Sequence, residues 1–277
     1  MTDDFSRQIA AGERFSFGEN WAAFLGVLDE GRIRNAESAL LRAISPERLR
    51  GRSLLDIGSG SGLHSLCARR QGAVVRSFDY DPKSVACTQE LRRRYLPADP
   101  EWIVERGSAL DEPYMRSLGL FDVVYAWGVL HHTGDMWRAL DLAHSCVKPG
   151  GLLLVALYND QGGRSRIWRK IKRTYCSGRL GRWLVTATLI PYLEGRSVIG
   201  DLIRRRSPMR RHRDYKLGRG MSQYYDYLDW LGGYPFEVAK PEDVLDFFRP
   251  RGFELVGLRT TNGEGNNQFV FERRLVP

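Results

Sequence analysis

The stretch Leu54-Leu55-Asp56-Ile57-Gly58-Ser59-Gly60-Ser61-Gly62 sets an acid and three glycines where a short apolar run gives way to a helical one. Glycines at such a corner let the backbone approach a ligand, and the helix behind them offers unpaired N–H groups. Leu63 stands where a dinucleotide fingerprint needs glycine, and no Gly-Lys-Ser/Thr follows, which removes a nucleoside-triphosphate loop. Asp56 is unsuited to cradling a pyrophosphate and well suited to a ligand that carries an ammonium group. Asp79 ends the next β-rich run, 17 residues beyond Gly62, where a carboxylate can accept both ribose hydroxyls of a nucleoside. His131 and His132 are the titratable pair best placed for acid–base work, because they follow the fourth apolar run at the ligand-binding edge of an open α/β sheet. A plainer role for both is to bond backbone carbonyls and orient that loop.

The elements that would position these groups alternate. Strands are expected at 53–57, 73–81, 102–108, 121–127 and 151–159, with helices over 63–72, 81–95 and about 136–147 between them. Residues 20–44 read as one helical segment ended by Pro46, and Lys148-Pro149-Gly150-Gly151 as a helix stop. A helix over 241–252 and two strands joined by a GEGNN turn follow much later, close enough to form a hairpin. The implied fold is α/β, a Rossmann-like doubly wound, mostly parallel seven-stranded sheet with a C-terminal antiparallel hairpin and a helical cap insertion.

Composition sets the outer limits. Of 277 residues 43% are hydrophobic and 27% charged, enough for a substantial core. The N-terminus lacks a basic stretch followed by an apolar one, so no signal peptide is expected. Cys67, Cys87, Cys146 and Cys176 lie too far apart for a metal-ligand pattern; reduced thiols, a cytoplasmic setting and no metal are expected. The net charge of +9 is concentrated: residues 164–219 carry 17 Lys or Arg against Glu194, Asp201 and Asp214.

The glycine loop, Phe78-Asp79-Tyr80-Asp81-Pro82, Arg106-Gly107-Ser108-Ala109-Leu110-Asp111, Phe121-Asp122-Val123-Val124, Leu130-His131-His132 and Val147-Lys148-Pro149-Gly150-Gly151 together resemble class I S-adenosylmethionine-dependent methyltransferases. The likeness covers about residues 52–158 and the final helix and hairpin. It implies S-adenosylmethionine as cofactor. Asp56 and the loop of Gly58, Ser59, Gly60 and Gly62 would hold its methionine end, Asp79 the ribose and Tyr80 the adenine face. Ser108 and Ala109 would line the adenine edge, Ser108 replacing the family's usual acid, and Trp127 would border the pocket or serve as a core residue. Methyl transfer from a sulfonium is an in-line displacement that needs alignment and exclusion of water, and a hydroxyl acceptor gains from a base, for which His132 is favoured over His131.

Four regions follow: residues 1–50 as an N-terminal helical lid with Phe15, Phe17 and Trp21; 51–159 as the cofactor core; 160–240 as a basic helical insertion over the acceptor site; and 241–277 completing the sheet. Within the insertion, 164–182 is a basic helical stretch with Trp168 and Tyr175, 183–193 is apolar but too short to span a bilayer, and Arg204–Arg206 with Arg210, Arg211, His212 and Arg213 forms a second basic cluster. The arginines would bind an anionic small-molecule, glycan or lipid-like acceptor, a nucleic-acid backbone, or an anionic membrane surface on the inner face, or serve only as a solvated basic face. Tyr224, Tyr225, Asp226, Asp229 and Glu237 are candidate acceptor contacts. No Asp/Asn-Pro-Pro-aromatic motif follows the fourth strand and no Pro-Cys pair occurs, which favours a small-molecule, sugar or lipid-like acceptor methylated on oxygen over RNA. An inactive cofactor-binding regulator is the remaining alternative.

Overall fold

The computed structural model describes residues 2–203, 205, 207, 223–263 and 265–275. Three helices lead in: α1 (Thr2–Ala10), α2 (Gly18–Leu25) and α3 (Glu30–Leu41). The core then alternates as β1 (Ser53–Ile57), α4 (Leu63–Arg70), β2 (Val74–Asp79), α5 (Pro82–Tyr95), β3 (Trp102–Arg106), α6 (Glu112–Ser117), β4 (Phe121–Trp127), α7 (Met136–Ser145) and β5 (Val147–Tyr158). The insertion supplies α8 (Gly163–Cys176), α9 (Arg179–Ile203) and α10 (Gln223–Gly232). The chain closes with α11 (Pro241–Phe248), β6 (Phe253–Arg259) and β7 (Asn266–Arg273).

The described strands form one seven-stranded sheet in the order β3-β2-β1-β4-β5-β7-β6. β1 to β5 pair in parallel, and β7 runs antiparallel to both β5 and β6. Strand order reverses direction between β1 and β4, so their carboxyl ends open the crevice in which such sheets bind ligands. Each face of the sheet carries an apolar layer, with residues of α3, α4 and α5 on one side and of α6, α7 and α11 on the other. β4, covered on both sides, reads as the near-continuous apolar run that such burial demands.

Three expectations change in detail. The helical stretch 20–44 is two helices, because Asp29 leaves the helical region and its side chain accepts the Arg32 N–H at 2.8 Å, capping α3. Lys148-Pro149-Gly150-Gly151 lies inside β5, where the register against β4 shifts between Phe121 and Val123 and absorbs the extra residues. The short helix α6 was not expected; it starts where Asp111 accepts the Tyr114 N–H.

The insertion has a small core of its own. Tyr175, Val185 and Leu231 are buried there against Trp168, Trp230 and, from the N-terminal segment, Phe15. Of the second basic cluster, Arg204, Arg206, Arg210, Arg211, His212 and Arg213 lie outside the described residues.

Candidate active site

A cavity of about 710 Å³ opens at the carboxyl ends of β1, β2 and β4. Its floor is Asp56, Gly58, Ser59, Gly60, Ser61 and His64, and its sides are Asp79 and Tyr80 with Ala109 and Trp127. Gly58 and Gly60 hold φ of +71° and +57°. A Cβ on Gly58 would stand 2.4 Å from Val129, and one on Gly60 would stand 3.0 Å from the Trp21 indole, so glycine is required twice over. Gly62 caps α4 in the left-handed region, and Ser59 Oγ lies 3.0 Å from Thr88 Oγ1.

The two acids differ in their support. Asp79 accepts the Gly60 N–H through one oxygen and the Asp81 N–H through the other, both at 2.9 Å. Burial nevertheless pushes its carboxyl up to about 6. Asp56 is more deeply enclosed and burial drives it up to about 7, opposed by the Ser65 hydroxyl and reinforced by the charge of Asp79. Ser65 bonds both Asp56 and, at 2.6 Å, Ser77, which in turn accepts the Trp102 indole N–H at 2.9 Å. An indole can only donate, so this buried chain is polarised toward Asp56 and favours its anion.

His132 lines the cavity, and its Nδ1 lies 2.7 Å from the Pro235 carbonyl. A carbonyl can only accept, so Nδ1 carries the proton and Nε2 keeps its lone pair. Burial pulls the imidazole down to about 3, which keeps it neutral throughout the ordinary pH range. His131 is wholly buried behind it, packed against His132 and Tyr158 at ring separations of 4.4 and 4.2 Å, and does not line the cavity. Burial holds its imidazole well below the ordinary value too.

The N-terminal segment covers the opening. Phe5, Arg14, Phe15, Phe17, Trp21 and Phe24 all face the cavity. Arg14 ties this strap to the loop after β4, donating to the carbonyls of His132 and Thr133 at 2.9 and 3.0 Å while lying over the Tyr80 ring. Tyr80 itself donates to Asp4, fastening α1. From the insertion come Leu193, Tyr227 and Trp230.

Other expected residues fall elsewhere. Ser108 accepts the Leu110 N–H in the turn before α6 and is not part of the cavity wall. Glu237 accepts the N–H groups of Gly134 and Met136 at 3.1 and 3.0 Å, holding the start of α7 and not the cavity. Tyr224, Tyr225, Asp226 and Asp229 belong to α10, but their side chains lie outside the described residues. Sequence reasoning missed His64, Arg14 and Tyr158. His64 had a signal, since it is the second residue of the helix behind the glycines; burial pulls it down to about 4.

The sheet order and the placement of the glycine loop agree with a family profile described as methyltransferase domain, which matches residues 28–201. The chain belongs to this methyltransferase-domain family. The ubiquinone biosynthesis O-methyltransferase of Caulobacter vibrioides is 34% identical over 115 residues, 39% of this chain and 42% of that protein. A tRNA U34 carboxymethyltransferase of Methylococcus capsulatus is 32% identical over 126 residues, 45% of this chain and 37% of that one. The matched part of this methyltransferase-family chain thus spans less than half the length of either relative. Among solved structures, the magnesium protoporphyrin IX methyltransferase of Synechocystis PCC 6803 with bound SAH shares the fold at a TM-score of 0.53, with 15% identity over 88% of this chain and 84% of that chain.

Proposed function

We propose that this protein binds S-adenosylmethionine and transfers its methyl group to the oxygen of an apolar or aromatic, lipid-like small molecule. The observation that carries this reading is a single cavity that joins the glycine loop and both acids to His132 and to an aromatic wall. Its volume of about 710 Å³ falls within the roughly 300–1,000 Å³ usual for small-molecule sites. Asp79 would accept the ribose hydroxyls, Asp56 would face the ammonium end, and Ala109 with Tyr80 would border the adenine. Among the described lining residues the insertion contributes Leu193, Tyr227 and Trp230, and the one Lys or Arg, Arg14 of the N-terminal segment, is engaged with the His132 and Thr133 carbonyls, which favours an apolar acceptor over an anionic one.

The chemistry follows from the residues present. The bound cofactor would supply an electrophilic methyl on sulfonium sulfur. The chain aligns the acceptor, excludes water with the Phe15–Phe17–Trp21 strap, and offers His132 Nε2 as proton acceptor. A base held near 3 is weak toward a free alcohol. It suffices here, because an oxygen attacking the methyl becomes oxonium-like and strongly acidic as the bond forms.

Transfer to RNA is the second reading, favoured by the exposed cations of α8 and by the tRNA-modifying relative. Against it, Trp168 and Tyr175, the aromatics interleaved with those cations, pack inside the cap and offer no stacking platform for bases. Calorimetry with S-adenosylmethionine and S-adenosylhomocysteine tests the shared premise. Micromolar binding is expected, weakened about 100-fold or more in Asp79→Ala, which loses two charge-assisted hydrogen bonds. No binding by the unaltered chain would reject the proposal, and RNA-dependent methylation would replace the acceptor.

A further inference from the structure

Helix α9 has two apolar sides. One packs inward through Val185 and supplies Leu193 to the cavity wall. The other is open. Leu180, Leu184, Ala187, Pro191, Ile199 and Leu202 are exposed, Leu180 to 76% and Leu202 to 62%. At 100° per residue these six fall within an arc of about 120°, an apolar stripe interrupted by Thr188 and Gly195 along a helix about 37 Å long. Ordinary surfaces scatter single apolar side chains; a stripe of this length marks an interaction face.

The positive charge of the insertion, present from the first turns of α9, selects the partner. Arg179 and Arg182 border a shallow depression on the first turns of α9, together with Trp183, Thr186 and Ala187. Trp183 is 66% exposed, an indole with no reason to face bulk water but well matched to a headgroup layer. Exposed cations also follow along α8 at Arg164, Arg166, Arg169, Lys170 and Arg173. A second copy of the chain would bring the same sign of charge against itself, and a phosphate backbone would leave the apolar stripe unused. Both features are met by an anionic lipid surface. No helix among the described residues is long and apolar enough to cross a membrane, so the geometry is that of a helix lying in the interface.

We propose that α9 docks the protein on an anionic membrane surface, with the Leu180–Leu202 stripe in the headgroup–acyl boundary and Arg179, Arg182 and Trp183 at the phosphates. The same helix would then roof the cavity on one side and rest on lipid on the other. This inference rests on the outer face of α9 and the exposed cations of the insertion, and holds whatever the acceptor proves to be.

Cosedimentation of the full chain with vesicles tests it. Vesicles containing one third phosphatidylglycerol should retain the protein, and pure phosphatidylcholine vesicles should not. The double variant Leu184→Glu/Leu202→Glu should lose about tenfold or more in vesicle affinity, as two buried leucines become two repelled carboxylates. Arg179→Ala/Arg182→Ala should lose severalfold and become less sensitive to salt. Unchanged melting and unchanged S-adenosylhomocysteine affinity would show that both variants remain folded. Millimolar glycerol phosphate should not displace the protein; displacement would reassign the depression to a free phosphate and overturn the proposal. So would equal vesicle binding by the leucine variant, no vesicle binding at all, or a dimer in solution that Leu184→Glu dissolves.

Discussion

The crevice above β1 and β2 and the cap built by α8 to α10 present opposite kinds of surface. In the crevice two carboxylates sit at strand ends, enclosed and supported by backbone N–H groups and a serine chain. In the cap the described lining is apolar and aromatic, and its described cations, apart from the buried Lys172, are exposed. Burying a charge costs free energy that only a specific partner offsets, so the crevice is specialised for one charged ligand. Apolar contact is non-directional, so the cap can admit a range of ligand shapes. On the proposed function, the crevice would recognise the methyl donor and the cap would choose the acceptor.

The sharpest way to break that division is at His132, where the two regions meet. His132→Ala should lower turnover about 100-fold at saturating cofactor while leaving cofactor affinity within about twofold. His131→Ala, by contrast, should cost stability by opening a cavity in the packed wall and leave the turnover of the folded fraction within tenfold. Losses below tenfold in both would remove the histidines from the chemistry.

A smaller effect should separate the halves by pH. Asp56 and Asp79 are held up to about 7 and about 6 in the empty protein, so both are anionic only above that window. Cofactor affinity should fall about tenfold or more from pH 8 to pH 5.5, with protons released on binding, as calorimetry in buffers of different ionisation enthalpy would show. His132, already neutral well below that range, should leave saturated turnover flat between pH 5.5 and 8. An acid limb in saturated turnover would contradict the division.

The smallest effect is on stability. A carboxyl raised in the folded state favours folding fully below its unfolded value near 3.8, and that contribution is lost as pH rises through about 7. Asp56→Asn should therefore melt a few degrees higher than the unaltered protein at pH 8 when empty, with the difference shrinking toward pH 5. The same variant should bind S-adenosylmethionine more weakly. A lower melting point at pH 8 would mean that the Trp102–Ser77–Ser65 chain supports the Asp56 anion more fully than burial opposes it.

Much of the crevice was legible because its parts are local. Asp56, the glycines and Asp79 are fixed by a strand end and the turn beside it, so spacing along the chain locates them at the sheet edge. The split at Asp29 and the strand running through Lys148–Gly151 escaped, since a capping side chain and a bulge override local helix and stop signals. Glu237 looked like an acceptor contact from its polarity, yet its partners at Gly134 and Met136 are about a hundred residues away in sequence.

By itself, the sequence determined the alternation of strands and helices, the acids Asp56 and Asp79 at the strand ends and the concentration of positive charge after Asn159. Tertiary structure alone decided which histidine meets the cavity, that Arg14 clamps the N-terminal strap over it, and that Lys172 and Tyr175 of the insertion are buried while Trp183 and Tyr192 stay exposed. The reason is physical: periodicity and turn chemistry act between neighbours along the chain. Burial, tautomer and the side of a helix that stays wet are set by contacts between residues far apart in sequence.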